Sequence, residues 1–130
     1  MLDCQNLRIV FELEPRMIKL SEHNISATPS TANTLEEDEQ KSLLKEIPQW
    51  EINRYGDQNQ LERNFTLKNF EVAMNFSNQI SVVSEEFDHH PMLVIEWGKV
   101  KVVWWSHSIK GLHQNDFVMA AKTDEIFNSL

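Results

Sequence analysis

The sequence predicts an α+β domain: a four-stranded antiparallel sheet with helices packed on one face, in the order helix, strand, strand, helix, strand, strand, helix. Two pairs of strand-like runs, each folded back around a glycine, and one long stretch of apolar residues spaced by threes and fours between them give that order. A third observation sets the domain limits. Residues 24 to 35 (NISATPSTANTL) are small and polar and include a proline, the composition of a linker. Residues 1–34 are therefore expected to be a poorly ordered extension and linker, in which LRIVFELE is at most an isolated strand, and residues 35–130 the folded domain.

The first helix is expected to open at Thr34-Leu35-Glu36-Glu37, which fits a capping box, and to end at Pro48. The acidic run Glu36 to Glu39 then sits at the positive end of the helix dipole, with Lys41 and Lys45 towards the other end, so it reads as a solvated helix start. Trp50 to Tyr55 and Gln60 to Thr66 alternate apolar and polar side chains around Gly56-Asp57-Gln58-Asn59, a hairpin. Asn69 caps the second helix, whose stripe of Phe70, Ala73, Phe76, Ile80, Val83 and Phe87 faces the core. Asp88-His89-His90-Pro91 breaks that period, and Pro91 holds His90 extended on the way into the next strand. Met92 to Trp97 and Lys99 to Ser108 form the second hairpin about Gly98, and Asn115 or Asp116 opens a last helix reaching about Phe127.

Composition narrows the function classes. A net charge of −8 argues against nucleic acid as a partner, since such binding is driven by Lys and Arg displacing counterions from phosphates. Of it, −5 falls in residues 1–40 (eight acids, three bases) and only −3 in the rest (twelve acids, nine bases), so the domain itself is nearly balanced. No stretch approaches the 18 or so consecutive apolar residues of a membrane span, and the N-terminus lacks the basic start and clean apolar run of a signal peptide; a cytoplasmic protein is expected. The single cysteine, Cys4, has no partner for an internal disulfide and is far in sequence from the chemistry-bearing cluster. Three glycines in the whole chain leave no phosphate-cradling loop.

Chemistry gathers at the second hairpin. His89 and His90 stand at the entrance to its first strand and His107 near the exit of its second, two ends that a hairpin brings side by side. Glu85 lies in the preceding turn and Asp116 at the start of the last helix, so two carboxylates and three imidazoles converge. Histidine both takes and gives a proton near neutral pH, which suits such a group to proton transfer. Two other readings compete: a His-His-Pro turn without chemistry, and a zinc set of three histidines and a carboxylate. Against the metal, neighbouring residues of an extended chain point to opposite sides, so His89 and His90 do not readily hold one ion. Trp50, Trp97, Trp104 and Trp105 read first as core or interface residues, and His23 and His113 as surface residues.

The spacing of these residues is more specific than their types. Glu85-x-x-x-His89-His90-Pro91, then five residues to Trp97, nine to His107 and eight to Asp116, resembles the signature of the pterin-4a-carbinolamine dehydratase family. The flanking EWGKV and WWSHSIKGLHQND resemble its bacterial members associated with phenylalanine hydroxylase, and the likeness spans roughly Glu36 to Phe127. The resemblance implies an αββαββα fold that assembles into homodimers or homotetramers, and a dehydratase that expels the 4a-hydroxyl of a tetrahydropterin adduct as water to leave quinonoid dihydropterin. It implies neither metal nor cofactor. His89 and His90 become the main acid and base and His107 an assistant; Glu85, Asp116, Pro91, Trp50 and Trp97 would contact the substrate or orient the imidazoles, Trp50 by closing the pocket. The implied partners are the pterin substrate and, as a candidate, phenylalanine hydroxylase. A second class stays open, since mammalian relatives also serve as dimerisation cofactors of a transcription factor.

Overall fold

The computed structural model describes residues 18–130. The strand-like LRIVFELE lies outside them. Four strands, β1 (Glu51–Tyr55), β2 (Gln58–Thr66), β3 (Met92–Glu96) and β4 (Lys99–Trp104), form one antiparallel sheet in the order β1-β2-β4-β3. Three helices, α1 (Glu37–Leu44), α2 (Phe70–Glu86) and α3 (Gln114–Asn128), complete the expected order.

Alternation of side chains across the strands decides which face is covered. Leu61 and Phe65 of β2 and Val100, Val102 and Trp104 of β4 point to one side and are buried there against Phe76 and Ile80 of α2 and Phe117 and Val118 of α3. Phe65, Phe76 and Phe127 meet with ring centroids 4.8 to 5.7 Å apart, two of the three contacts edge-on, the arrangement aromatic quadrupoles favour. Asn69 caps α2 as the sequence predicts, its side chain accepting from the Val72 N–H at 2.9 Å. Phe70, the first residue of the helix, departs from the expected stripe and is 49% exposed.

Several boundaries also move. Thr34 forms no capping box: Leu35 donates its N–H to the Leu112 carbonyl, which holds residues 34–35 extended, and α1 begins only after Glu36, which makes no side-chain cap. The helix then ends at Leu44, before Pro48, as successive i→i−3 bonds tighten the chain and drop Ile47 into the core. The first hairpin turns on two residues, Gly56 and Asp57, with Tyr55 paired to Gln58 and Gly56 at φ 61°. β4 stops at Trp104 rather than Ser108. Ser106 instead pairs with Gly111 across a tight loop that needs Lys110 at φ 53°.

Residues 18–34 run along the domain. Leu20, in the 3-10 turn Leu20–Glu22, is buried with the core, and Lys122 of α3 donates to the Ser21 carbonyl at 2.6 Å while its ammonium sits over the Phe87 ring. The linker expected over residues 24–35 is here an extended strap, because Asn115 and Ser108 supply donors to its backbone carbonyls.

Candidate active site

The end of α2 delivers the first histidine. Phe87 closes the helix, Asp88 takes the left-handed conformation at φ 49°, and two reversed bonds follow: Asp88 N–H to the Glu85 carbonyl and His89 N–H to the Ser84 carbonyl at 3.0 Å. This is a Schellman motif, with an aspartate where glycine is usual, and it turns the chain sharply so that His89 folds in beneath the helix end. The imidazole is buried and stacks on Trp104, with centroids 5.6 Å apart and planes 7° from parallel. Trp104 is itself pinned by a hydrogen bond from its indole to Thr123 of α3.

A fully buried carboxylate fixes the ring from behind. Asp116 Oδ1 lies 2.6 Å from His89 Nε2, and Asp116 Oδ2 accepts from the Ser106 hydroxyl at 2.8 Å and from the His113 backbone N–H at 2.9 Å. A carboxylate only accepts, so His89 carries its proton on Nε2 and leaves Nδ1 as the free ring nitrogen. The same carboxylate closes the N-terminus of α3 as one half of a capping box, whose other half is His113, Nδ1 accepting from the Asn115 N–H. His113 is therefore a structural cap, where the sequence suggested an unpartnered surface residue.

His90, on the other side of the chain, is half exposed, with Nε2 3.4 Å from the Glu85 carboxylate. His107 lies in the loop after β4, not in a strand, its ring against Trp105 at 4.3 Å. All three imidazoles line one cleft of about 290 Å³, near the lower end of the range for small-molecule sites. Ser106, Ser108 and Asp88 complete it, with Ala27 and Thr28 of the N-terminal strap.

Of the remaining sequence-predicted residues, Pro91 leads out of the cleft into β3, while Trp50 and Trp97 stand elsewhere. Trp50 is a core residue, its ring edge-on to Phe65 and its indole N–H bonded to Asp124 at 2.8 Å, so it closes the core and not the pocket. Trp97 sits 72% exposed at the tip of the second hairpin, the opposite end of β3 from the histidines. Sequence reasoning missed Ser106 and Thr28. Nothing in the pattern marks them, since each acts through a single hydroxyl brought in by a loop.

A profile of the family described as pterin 4 alpha carbinolamine dehydratase matches residues 33–126, which include every histidine and carboxylate of the cleft. The chain belongs to that family. Three relatives of the dehydratase family, each carrying the name "Putative pterin-4-alpha-carbinolamine dehydratase", are similar to it. The chain of Saccharophagus degradans is 56% identical over 90 residues, covering 69% of this chain and 80% of its own. That of Chlorobium luteolum is 52% identical over 96 residues, covering 74% and 84%. That of Marinobacter nauticus is 43% identical over 111 residues, covering 85% of this chain and all of its own. Among solved structures, a transcriptional coactivator/pterin dehydratase from Brucella melitensis superimposes with a TM-score of 0.66 at 30% identity, over 72% of this chain and 98% of that one. A pterin dehydratase-like RuBisCO assembly factor of the alpha-carboxysome shares the fold, with a TM-score of 0.51 at 18% identity over 59% of this chain and 87% of its own.

Proposed function

We propose that this dehydratase-family chain converts a 4a-hydroxytetrahydropterin to quinonoid dihydropterin and water by histidine acid–base catalysis. The observation that carries this reading is the cleft in which His89, His90 and His107 meet, with one imidazole locked in a single tautomer by a buried carboxylate. In the reaction the C4a–O bond breaks as the hydroxyl takes a proton and leaves as water, and the N5 proton is removed as its electron pair forms the C4a=N5 bond. That needs one acid and one base on a flat bicycle, and two histidines of different exposure supply them. His89, with Nδ1 free, is the preorganised partner. His90, half exposed beside Glu85, exchanges protons with solvent, and His107 binds the departing hydroxyl.

The direct test follows decay of the 4a-hydroxytetrahydropterin with purified protein, with and without chelator. Acceleration over the spontaneous reaction is expected in both, and loss of about 10²- to 10⁴-fold in His90→Ala, the range of one general acid or base. No acceleration by the unaltered protein would sink the reading, and loss with chelator alone would favour a metal mechanism.

The same reading makes the protein a cytoplasmic homodimer or homotetramer whose substrate is the product of a hydroxylase such as phenylalanine hydroxylase. No helix among the described residues is long and apolar enough to cross a membrane. Support for assembly is the outer edge of β3, unpaired among the described residues, with Met92 and Val94 each more than 40% exposed on the uncovered face. A protein-binding role is the second reading. Its support is the exposed Phe70 and Val82 on α2 and the coactivator named in the Brucella structure's description. Capture of a partner without turnover would favour it.

A further inference from the structure

A polar thread reaches the Asp116–His89 pair from the strap, ahead of the span that matches the family. Asn115 Nδ2 donates to the Ser26 carbonyl at 2.9 Å and to Thr28 Oγ1 at 3.0 Å, and Ser108 Oγ donates to the Thr28 carbonyl at 3.1 Å. Thr28 Oγ1 lies 3.1 Å from Ser106 Oγ. Counting protons gives that last bond its direction. The one hydroxyl proton of Ser106 goes to Asp116 Oδ2, so Ser106 accepts from Thr28; Thr28, accepting from the Asn115 amide, donates. The thread thus runs one way, from the Asn115 amide through the Thr28 and Ser106 hydroxyls to the carboxylate that holds His89. Each donor in such a row polarises the next.

We propose that Thr28 is a positioning residue for His89, acting through Ser106 and Asp116, so that residues before the family-matched span help to set the geometry of the site. A serine hydroxyl whose oxygen also accepts a hydrogen bond is held in one position more firmly than one that only donates. Held by Thr28, it keeps its proton on Oδ2, which reserves Oδ1 for His89 and fixes the imidazole parallel to Trp104. The catalytic consequence rests on the dehydratase reading; the effect on the His89 ring does not.

The test compares Thr28→Val, which keeps the shape and loses the hydroxyl, with Thr28→Ser, which restores it, in the full chain. Ring-nitrogen resonances of His89 in ¹⁵N-labelled protein are the first readout. Thr28→Val should shift the Nε2 signal and mix the tautomers, and Thr28→Ser should return both to the unaltered pattern. Ser106→Ala, which breaks the thread one bond later, should reproduce the Thr28→Val spectrum and serves if Thr28→Val fails to fold. In turnover, Thr28→Val should lower kcat about three- to tenfold, the range one neutral hydrogen bond carries, with KM within about twofold. His89 signals unmoved in folded Thr28→Val, or in Ser106→Ala if that is the variant measured, overturn the proposal, even where the unaltered protein dehydrates the pterin. Signals that move and are rescued by serine in a protein without dehydratase activity uphold it and remove the dehydratase reading instead.

Discussion

Asp116 holds three donors with two oxygens in full burial, and its loss has two separable effects. Asp116→Asn replaces one acceptor by an amide that competes with the Ser106 hydroxyl or the His89 N–H for the same space. Destabilisation of about 1–3 kcal/mol is expected, the cost of leaving a buried donor unsatisfied, read by urea unfolding. Dehydration should fall further than the fold does, since the imidazole loses its tautomer along with its anchor. Asp124 shows burial winning over pairing. Its carboxylate meets the Arg63 guanidinium at 2.6 Å and the Trp50 indole, yet burial raises its pKa above the ordinary 3.8, the two partners only opposing the shift. A raised value means that the folded state keeps the proton longer than the unfolded chain, so the protein loses stability as pH rises from 3.8 through the raised value. Relative to Asp124→Asn, the unaltered protein should therefore be less stable at pH 7 than at pH 4. Equal differences in unfolding free energy at both values would contradict this sign.

At the scale of elements, the junction between α2 and β3 decides where the site stands. Asp88 in the left-handed region lets the His89 N–H reach the Ser84 carbonyl, and the turn would straighten without it. Asp88→Gly should leave the fold as stable or more so, whereas Asp88→Val should cost about 1–2 kcal/mol, because a branched Cβ meets the following carbonyl in that conformation; thermal unfolding of the two variants separates them. Elements were legible in the sequence wherever a period of two or of three and four ran long enough, as along α2 and across both hairpins. Boundaries were not. Thr34 looked like a helix cap because the sequence does not show that Leu112 would claim the next N–H, and β4 looked longer because the Ser106–Gly111 pairing joins residues whose types forbid nothing. The histidines and Asp116 were legible because a family spacing fixed them. Trp50 and Trp97 were misplaced for the converse reason, since an indole serves a core, a tip or a pocket equally well and only packing decides.

Among the described residues, helices cover one face of the sheet and leave the other to small clusters such as Tyr55 bonded to Glu62. The edge strand β3, short and carrying Met92 and Val94 outwards, offers the route to the proposed assembly. Light scattering after size exclusion should give twice or four times the mass of one chain, and Val94→Lys should lower it towards one. A single-chain mass for the unaltered protein would remove the oligomer. Much of the net negative charge lies in residues 1–40, so the sheet faces themselves carry little repulsion against meeting a second copy.

The parallel stacking of His89 on Trp104 also gives the site an optical reporter. An imidazole lying against an excited indole lowers its emission, so the brightness of Trp104 depends on how the ring stacked on it is placed. Trp105 meets His107 at a tilt of 37° and is only half-buried, Trp97 emits from water at longer wavelength, and Trp50 is bonded to Asp124. The blue edge of the fluorescence spectrum therefore follows the seating of the His89 ring without any label.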